Sequence, residues 1–148
     1  MDHALAVVGP TEKSKELVRE AGELAAGVDA KLTLLYGTTE EEYNDQRVEL
    51  EEISNYEASY SVTQAMQGAK NYAADVGREV LDDLDVEWEA HGAIGDMGET
   101  VLTEADRYGC DHVFVTGQKR SPTGKAIFGD ETQRIVLDFD GPVTVLTV

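Results

Sequence analysis

The chain has 148 residues, and its 30 acidic and 12 basic residues give a formal net charge of −18. This charge excludes general nucleic-acid binding, because a protein that grips the backbone must neutralise phosphates, and it excludes docking on an anionic membrane. No apolar run approaches the roughly 20 residues that span a bilayer, and the single cysteine, Cys110, excludes an intrachain disulfide and a cysteine-only metal site.

The acidic residues are spread along the whole chain, and lysine is scarce, with six residues in all. An evenly acidic, lysine-poor surface is typical of adaptation to high salt, where ions screen the self-repulsion. The N-terminus lacks the pattern of a signal peptide. We therefore expect a cytoplasmic protein with a single domain over residues 1–148.

The first third of the chain predicts two strands joined by an amphipathic helix. Residues 4–8 form a continuous apolar run, typical of a strand that is buried on both faces, and Gly9-Pro10 ends it. Thr11 is a suitable N-cap for a helix that runs to Val28. A second strand covers residues 31–36 and ends at Gly37.

The remaining elements continue the alternation of strands and helices. An acidic connection over residues 38–52 leads to a long helix with apolar positions from Ile53 to Leu84. The later elements are an edge strand at 86–90, a loop at 91–96, a helix at 97–108, a strand at 112–116, a helix that starts at Gly129-Asp130 and includes Phe139, and a last strand at 143–148.

Alternating strands and helices predict an α/β fold: an open, doubly wound sheet of five parallel strands with helices on both faces. In such a sheet, ligands bind beyond the carboxyl ends of the strands, at the topological switch point. A symmetrical arrangement puts that point between the first and fourth strands. The loops that meet there are residues 8–11 and 116–129.

The second of these loops has an unusual charge for this chain. No Asp or Glu occurs from His112 to Gly129, while three basic residues, Lys119, Arg120 and Lys125, lie between Gly117 and Gly129. A strand, a basic glycine-containing loop and a helix start together present backbone N–H groups and positive charge to a phosphate.

Several motifs resemble those of the universal stress protein family. They are the first strand and turn, the first helix at 14–26, the second strand LTLLY, the helix start Gly95-Asp96-Met97-Gly98-Glu99-Thr100, the Gly117 loop, and the closing Gly141-Pro142-Val143-Thr144-Val145. The resemblance implies an adenine-nucleotide α-hydrolase-like fold and a homodimer formed through the last strand, residues 143–148. In family members that bind ATP, a Gly-x2-Gly-x9-Gly-Ser/Thr loop wraps the ribose and phosphates, and an Asp after the first strand contacts the nucleotide.

Carried onto this chain, the resemblance implies ATP as the candidate ligand, with Mg²⁺ as its companion. The candidate nucleotide-binding residues lie in the two loops at the switch point and at the end of the second strand. They are Gly9, Pro10, Gly37, Thr116, Gly117, Gln118, Lys119, Arg120, Gly129, Asp130, Glu131 and Thr132.

Three of these positions depart from the family pattern. Arg120 stands where the second glycine is expected, Asp130 stands at the Ser/Thr position, and Gly9 corresponds to the expected Asp. Two like charges about 4 Å apart cost roughly 4 kcal/mol at an effective dielectric near 20, so Asp130 would repel a phosphate unless Mg²⁺ lay between them.

Three hypotheses stay open from the sequence. The chain is a regulatory protein that binds an adenine nucleotide through the 116–132 loop, or a dimeric interaction module for an unknown protein partner that keeps the fold without the pocket. The third is a nucleotidyl-transferring enzyme of the wider adenine-binding group. No nucleophile pairs with a base, so we predict no catalytic residue and at most slow, incidental ATP turnover. The three histidines lack metal-ligand spacing and are predicted at strand ends.

Overall fold

The computed structural model describes residues 1–39, 41, 44–45, 62–117 and 129–147. Strands and helices alternate along these residues. They are β1 (His3–Val8), α1 (Glu12–Val28), β2 (Lys31–Thr38), α2 (Val62–Leu81), β3 (Trp88–Ile94), α3 (Met97–Tyr108), β4 (His112–Gly117), α4 (Asp130–Asp138) and β5 (Val143–Thr147).

The five strands form one parallel sheet in the order β3-β2-β1-β4-β5. The predicted α/β fold is therefore confirmed, and so is the switch point, because β1 pairs with β2 on one side and with β4 on the other. The edges of the sheet are β3 and β5. The edge position predicted for the strand before His91 is also correct.

Successive residues of each strand point to opposite faces of the sheet, which is why β1 and β2 are apolar on both sides. On one face, Ala4, Ala6 and Leu34 pack with α1 and α2. On the other face, Leu5, Leu35 and Val113 pack with α3 and α4. Phe114 is fully buried on the face that α1 and α2 cover. None of the described helices is long and apolar enough to cross a membrane.

The prediction for β3 was wrong in its bounds. The strand covers Trp88–Ile94 instead of residues 86–90, so His91 lies within it and not at its end. The glycine at position 92 suggested a loop. In the structure α2 approaches β3 so closely that a Cβ on Gly92 would collide with the backbone oxygen of Met66 and lie 2.6 Å from the backbone nitrogen of Lys70. Gly92 therefore serves the helix–sheet contact.

Three other boundaries differ from prediction by a few residues. The long helix ends at Leu81, three residues before the predicted Leu84, and its expected part before Val62 lies outside the described residues. β2 continues through Gly37 to Thr38, beyond its predicted end. Most of the predicted acidic connection at 38–52 lies outside the described residues. α4 ends at Asp138, and Phe139 is its extended C-cap.

Candidate functional site

The site predicted from the sequence lies at the carboxyl edge of the sheet, where β1 and β4 end side by side. The two strands pair in parallel, with Ala6 opposite Phe114, and run on to Val8 and Gly117. The turn from β1 into α1 and the end of β4 therefore meet at the switch point, where a doubly wound fold binds its ligand.

The turn after β1 is fixed by hydrogen bonds at both polar groups of Gly9. Its N–H donates to the Ser14 hydroxyl oxygen at 2.5 Å, and its carbonyl oxygen accepts from the Tyr72 hydroxyl at 3.2 Å. Ser14 is buried, and its own N–H donates to the Thr11 side chain, which caps α1. The backbone of Gly9 is thus engaged within the protein and shapes the turn.

A side chain at position 9 would fit the turn. A Cβ on Gly9 would lie 3.7 Å from Ser14, an ordinary van der Waals contact. Steric crowding therefore does not explain why the chain lacks the carboxylate expected after β1. The first carboxylate beyond β1 is Glu12, which is exposed in the first turn of α1 and lies 3.5 Å from the ammonium of Lys15.

Glu12 is not among the predicted site residues, although it follows directly after Thr11, an N-cap that is recognisable from the sequence. Because α1 starts at the carboxyl ends of the strands, the Glu12 carboxylate lies close to the switch point.

The start of α4 is held against the end of β4 by Thr132. Its hydroxyl donates to the backbone oxygen of Thr116 at 3.0 Å. Gly129 is the N-cap and contributes no side-chain hydrogen bond, which leaves the N–H groups of the first turn without that partner. Of the predicted site residues, Thr116, Gly117, Gly129 and Thr132 therefore converge on one place.

Asp130 and Glu131 give this helix start a negative charge. Both side chains are exposed in the first turn of α4. Their position is favourable for the helix dipole, but the dipole that would attract a phosphate already faces two carboxylates. The backbone at the described end of the site is therefore suited to a phosphate, while the two carboxylates would repel one.

The other predicted positions do not join this cluster. Gly37 lies inside β2, where a Cβ would collide with the Met97 side chain, so packing explains this glycine. Pro10 is exposed in the turn before α1. Gln118, Lys119 and Arg120 lie outside the described residues, as does Lys125.

A cleft of about 670 Å³ lies at the same carboxyl ends of the strands, on the side of β3. Four carboxylate residues line it, and among the described residues of its wall there is no Lys or Arg. Its lining is Thr39, Val62, Met66, Ala93, Ile94, Gly95, Asp96, Glu99, Thr100, Thr103, Glu104 and Glu131. Glu131 thus connects the start of α4 to this acidic cleft.

Two described side chains with metal-binding or nucleophilic chemistry, Cys110 and His91, lie away from the switch point. Within the ranges that the structure describes, no group of three or more His, Cys, Asp or Glu residues could hold a metal ion. Burial raises the pKa of the Cys110 thiol to about 11, so it is not a thiolate nucleophile at neutral pH. His91 stacks on Tyr108 with ring centroids 4.2 Å apart.

His91 also has a close neighbour that is not a hydrogen-bond partner. Its Nε2 atom lies 3.2 Å from a carboxylate oxygen of Glu89, yet this buried nitrogen has no hydrogen bond of acceptable geometry within the described structure. Hydrogen bonds weaken steeply as their angle departs from linear, so the short distance alone does not make this contact a hydrogen bond. His91 therefore packs against α3.

Solved structures share this fold along almost the whole chain. Universal stress protein UspA from Lactobacillus plantarum is 16% identical with a TM-score of 0.71, covering 98% of this chain and 97% of its own. The universal stress protein from Archaeoglobus fulgidus in complex with dAMP is 14% identical with a TM-score of 0.60, covering 98% and 96%. A universal stress protein in complex with cAMP is 13% identical with a TM-score of 0.64, covering 99% and 96%.

No curated protein matches the chain. The sequence model of the universal stress protein family matches residues 1–147. The solved structures are too distant in sequence to show more than the fold, but the family model covers all but the last residue. The chain therefore belongs to the universal stress protein family.

Proposed function

We propose that this protein is a regulatory protein that binds an adenine nucleotide at the carboxyl edge of β1 and β4. The observation that carries the proposal is the convergence of the Gly9 turn with the end of β4 and the start of α4, which Thr132 ties to Thr116. The complexes of two structural neighbours with cAMP and dAMP support an adenine ligand for this fold.

Within the proposed site, the residues act in two groups. The backbone at Thr116, Gly117 and Gly129 approaches the phosphates, with Gln118, Lys119 and Arg120 supplied by the intervening loop. At the nucleoside end, Glu12 supplies the carboxylate that Gly9 lacks. ATP, accompanied by Mg²⁺, is the triphosphate candidate, in which Asp130 would share the ion with a phosphate.

Titration calorimetry with adenosine, AMP, cAMP and Mg²⁺-ATP tests the proposal, with GMP as the base control. We expect saturable binding of at least one adenine ligand and weaker binding of GMP. The absence of heat with every adenine ligand at millimolar concentration would reject it. A carboxylate that contacts the ribose predicts that Glu12→Gln weakens binding, while Glu16→Gln, one turn further along α1 and paired with Lys13 at 3.1 Å, leaves it unchanged.

A second candidate function follows from the charge at the start of α4. Because Asp130 and Glu131 occupy the first turn of α4, the helix dipole is already compensated, and this helix start needs no bound phosphate. In that case the chain is an interaction module for another protein. It would keep the fold and show no heat in the same titrations.

We further propose that the protein acts in the cytoplasm as a homodimer joined through β5. β5 is an edge strand that pairs with β4 alone in the described sheet, and an edge strand must be covered or paired. Pairing with a second copy gives a two-fold dimer. Light scattering coupled to size-exclusion chromatography should give twice the chain mass; a monomer at micromolar concentration would contradict it.

A further inference from the structure

We propose that a second binding site lies in a groove at the β3 edge of the sheet, and that it takes a small organic anion: a carboxylate or phosphate on a compact apolar body. The groove has a volume of about 380 Å³ and lies between α2 and α3. Its walls include Met66, Lys70, His91, Glu104, Arg107 and Tyr108. Two strands, β2 and β1, separate β3 from β4, so this site is independent of the proposed nucleotide site.

The groove has an unusual charge for this chain. Its walls carry two cations, Lys70 from α2 and Arg107 from α3, and one carboxylate, Glu104. The neighbouring acidic cleft has four carboxylate residues and, among the described residues of its wall, no Lys or Arg. The cavity at the amino end of β3 has two carboxylates, Glu87 and Glu89, and one lysine. Of these three cavities, in a chain of net charge −18, the groove is therefore the one that favours an anion.

Lys70 supplies a charge that no carboxylate already holds. Each other Lys or Arg that the structure describes has a carboxylate oxygen at 3.8 Å or less. Lys70 has no ion pair with any residue in the described ranges, and its side chain is exposed. A paired ammonium must leave its partner before it binds a ligand, whereas the Lys70 ammonium is available at once.

Arg107 supplies the second charge, from the opposite wall of the groove. Its ion-pair partner, Glu104, lies 3.8 Å away. Only 16% of the Glu104 side chain is exposed, against 67% of the Arg107 side chain, so the cation is the more accessible member of the pair. A guanidinium has five N–H donors, and Arg107 therefore has donors left for a ligand oxygen while it stays beside Glu104.

The apolar part of the groove comes from Met66 and Tyr108. The Tyr108 ring stacks on His91 with centroids 4.2 Å apart, and its hydroxyl lies 3.2 Å from Nδ1 of His91, so the ring is held in place before a ligand arrives. Met66 is 39% exposed. A fixed ring beside an adaptable thioether favours a ligand with a compact apolar body next to its charge.

Amide chemical-shift titrations of the isotope-labelled full chain with benzoate and with phenyl phosphate test this site. We expect saturable shifts at residues 63–70, at His91 and Gly92, and at Arg107 and Tyr108, with a Kd on the order of 1 mM. The neutral control is benzamide, which has the same ring and should bind at least about fivefold more weakly than benzoate. Comparison of the two anions shows which oxyanion the groove prefers.

Charge-removing variants locate the ligand between the two helices. Lys70→Gln should weaken benzoate binding at least about fivefold, and Lys70→Arg should retain most of it. Arg107→Gln should also weaken binding, from the other wall. The matched control is Arg78→Gln, which removes the same charge from α2 about two turns further on, where Arg78 is paired with Asp75. This control should leave the affinity unchanged.

Four results would overturn the site. An equal loss of affinity in Arg78→Gln would make the effect one of net charge, and benzamide binding as tightly as benzoate would leave only an apolar contact. Shifts confined to Gly9 and Gly129 would mean that the anion enters the switch point instead. The absence of saturable shifts with both anions at tens of millimolar would show that the groove binds neither. None of these results bears on the binding of an adenine nucleotide between β1 and β4, which the titrations with adenine ligands decide separately.

Discussion

The hydroxyl of Tyr72, on α2, donates a hydrogen bond of 3.2 Å to the backbone oxygen of Gly9, at the end of β1. This bond joins two elements that are 63 residues apart. It ties the long helix to the turn at the switch point. The Tyr72 ring also contacts Tyr36, with centroids 4.6 Å apart, so the ring and the hydroxyl have separate roles.

Tyr72→Phe separates those roles, because it removes the hydroxyl and keeps the ring. We expect the free energy of unfolding to fall by about 1 kcal/mol, the usual net worth of one hydrogen bond, and the nucleotide affinity to fall with it because the Gly9 turn is less well held. Chemical denaturation and calorimetry measure the two effects.

The matched control for this variant is Tyr108→Phe. Tyr108 is also half-buried, and its hydroxyl lies 3.2 Å from Nδ1 of His91, away from the switch point. Its removal should cost a similar amount of stability and leave nucleotide affinity unchanged. If both variants weaken nucleotide binding equally, the Tyr72 bond has no special role in the site.

The Thr132–Thr116 bond gives a second prediction. Thr132→Val keeps the shape of the side chain but cannot donate to the Thr116 carbonyl, so the start of α4 should loosen. We expect a loss of about 1 kcal/mol in stability and about fivefold in nucleotide affinity. Thr132→Ser keeps the hydroxyl and should restore most of both. A valine variant that binds as the parent does would show that α4 is positioned by other contacts.

The close approach of α2 to β3 predicts opposite effects for two glycine-to-alanine changes. Gly92→Ala should destabilise the fold by about 1–3 kcal/mol, because the new methyl group meets the backbone of α2 at Met66 and Lys70. Gly27 lies in the last turn of α1, and a methyl group added there would have no neighbouring atom within 4 Å. Gly27→Ala should therefore stabilise the helix by up to about 1 kcal/mol. Thermal melts of the two variants that shift in the same direction would contradict this.

Asp111 is one source of pH-dependent stability. Hydrogen bonds from the backbone N–H groups of Asp2 and His3 lower the pKa of this carboxyl group below its ordinary value. Its stabilising effect is therefore present above the unfolded pKa of about 3.9 and is lost as the pH falls through the lower, folded value.

Asp111→Asn tests this effect. The variant can accept with only one side-chain oxygen, so it should be less stable than the parent at neutral pH. The difference should shrink as the pH falls below about 4, since the parent then loses its carboxylate. Denaturant midpoints measured from pH 7 to the acid transition give the comparison. A difference that stays constant across this range would assign the effect to geometry alone.

Most of the fold could be predicted because its signals are local. The continuous apolar run before Gly9 marked a doubly buried strand, and Thr11 marked the start of α1, which the structure confirms. The strand at 88–94 was misplaced because Gly92 is explained only by a helix backbone distant in sequence. A glycine that allows close packing has the same local signature as a glycine in a loop.

The candidate site was predictable in position but not in chemistry. The alternation of strands and helices located the switch point, and the motifs located Thr116, Gly117, Gly129 and Thr132. No local pattern predicted that Tyr72 and Ser14 would occupy both polar groups of Gly9, because the tyrosine is far away in sequence. Nor could spacing alone show that Glu131 belongs to an acidic cleft formed by three helices.

The most direct measurement of the proposed site is an amide chemical-shift titration of the isotope-labelled protein with AMP. Binding at the switch point predicts saturable shifts at Gly9 to Ser14, at Thr116 and Gly117, and at Gly129 to Thr132. His3 and Asp111, at the opposite edge of the sheet, should not shift. Shifts concentrated at that opposite edge, or no saturable shifts at millimolar AMP, would contradict an adenine-nucleotide site between β1 and β4.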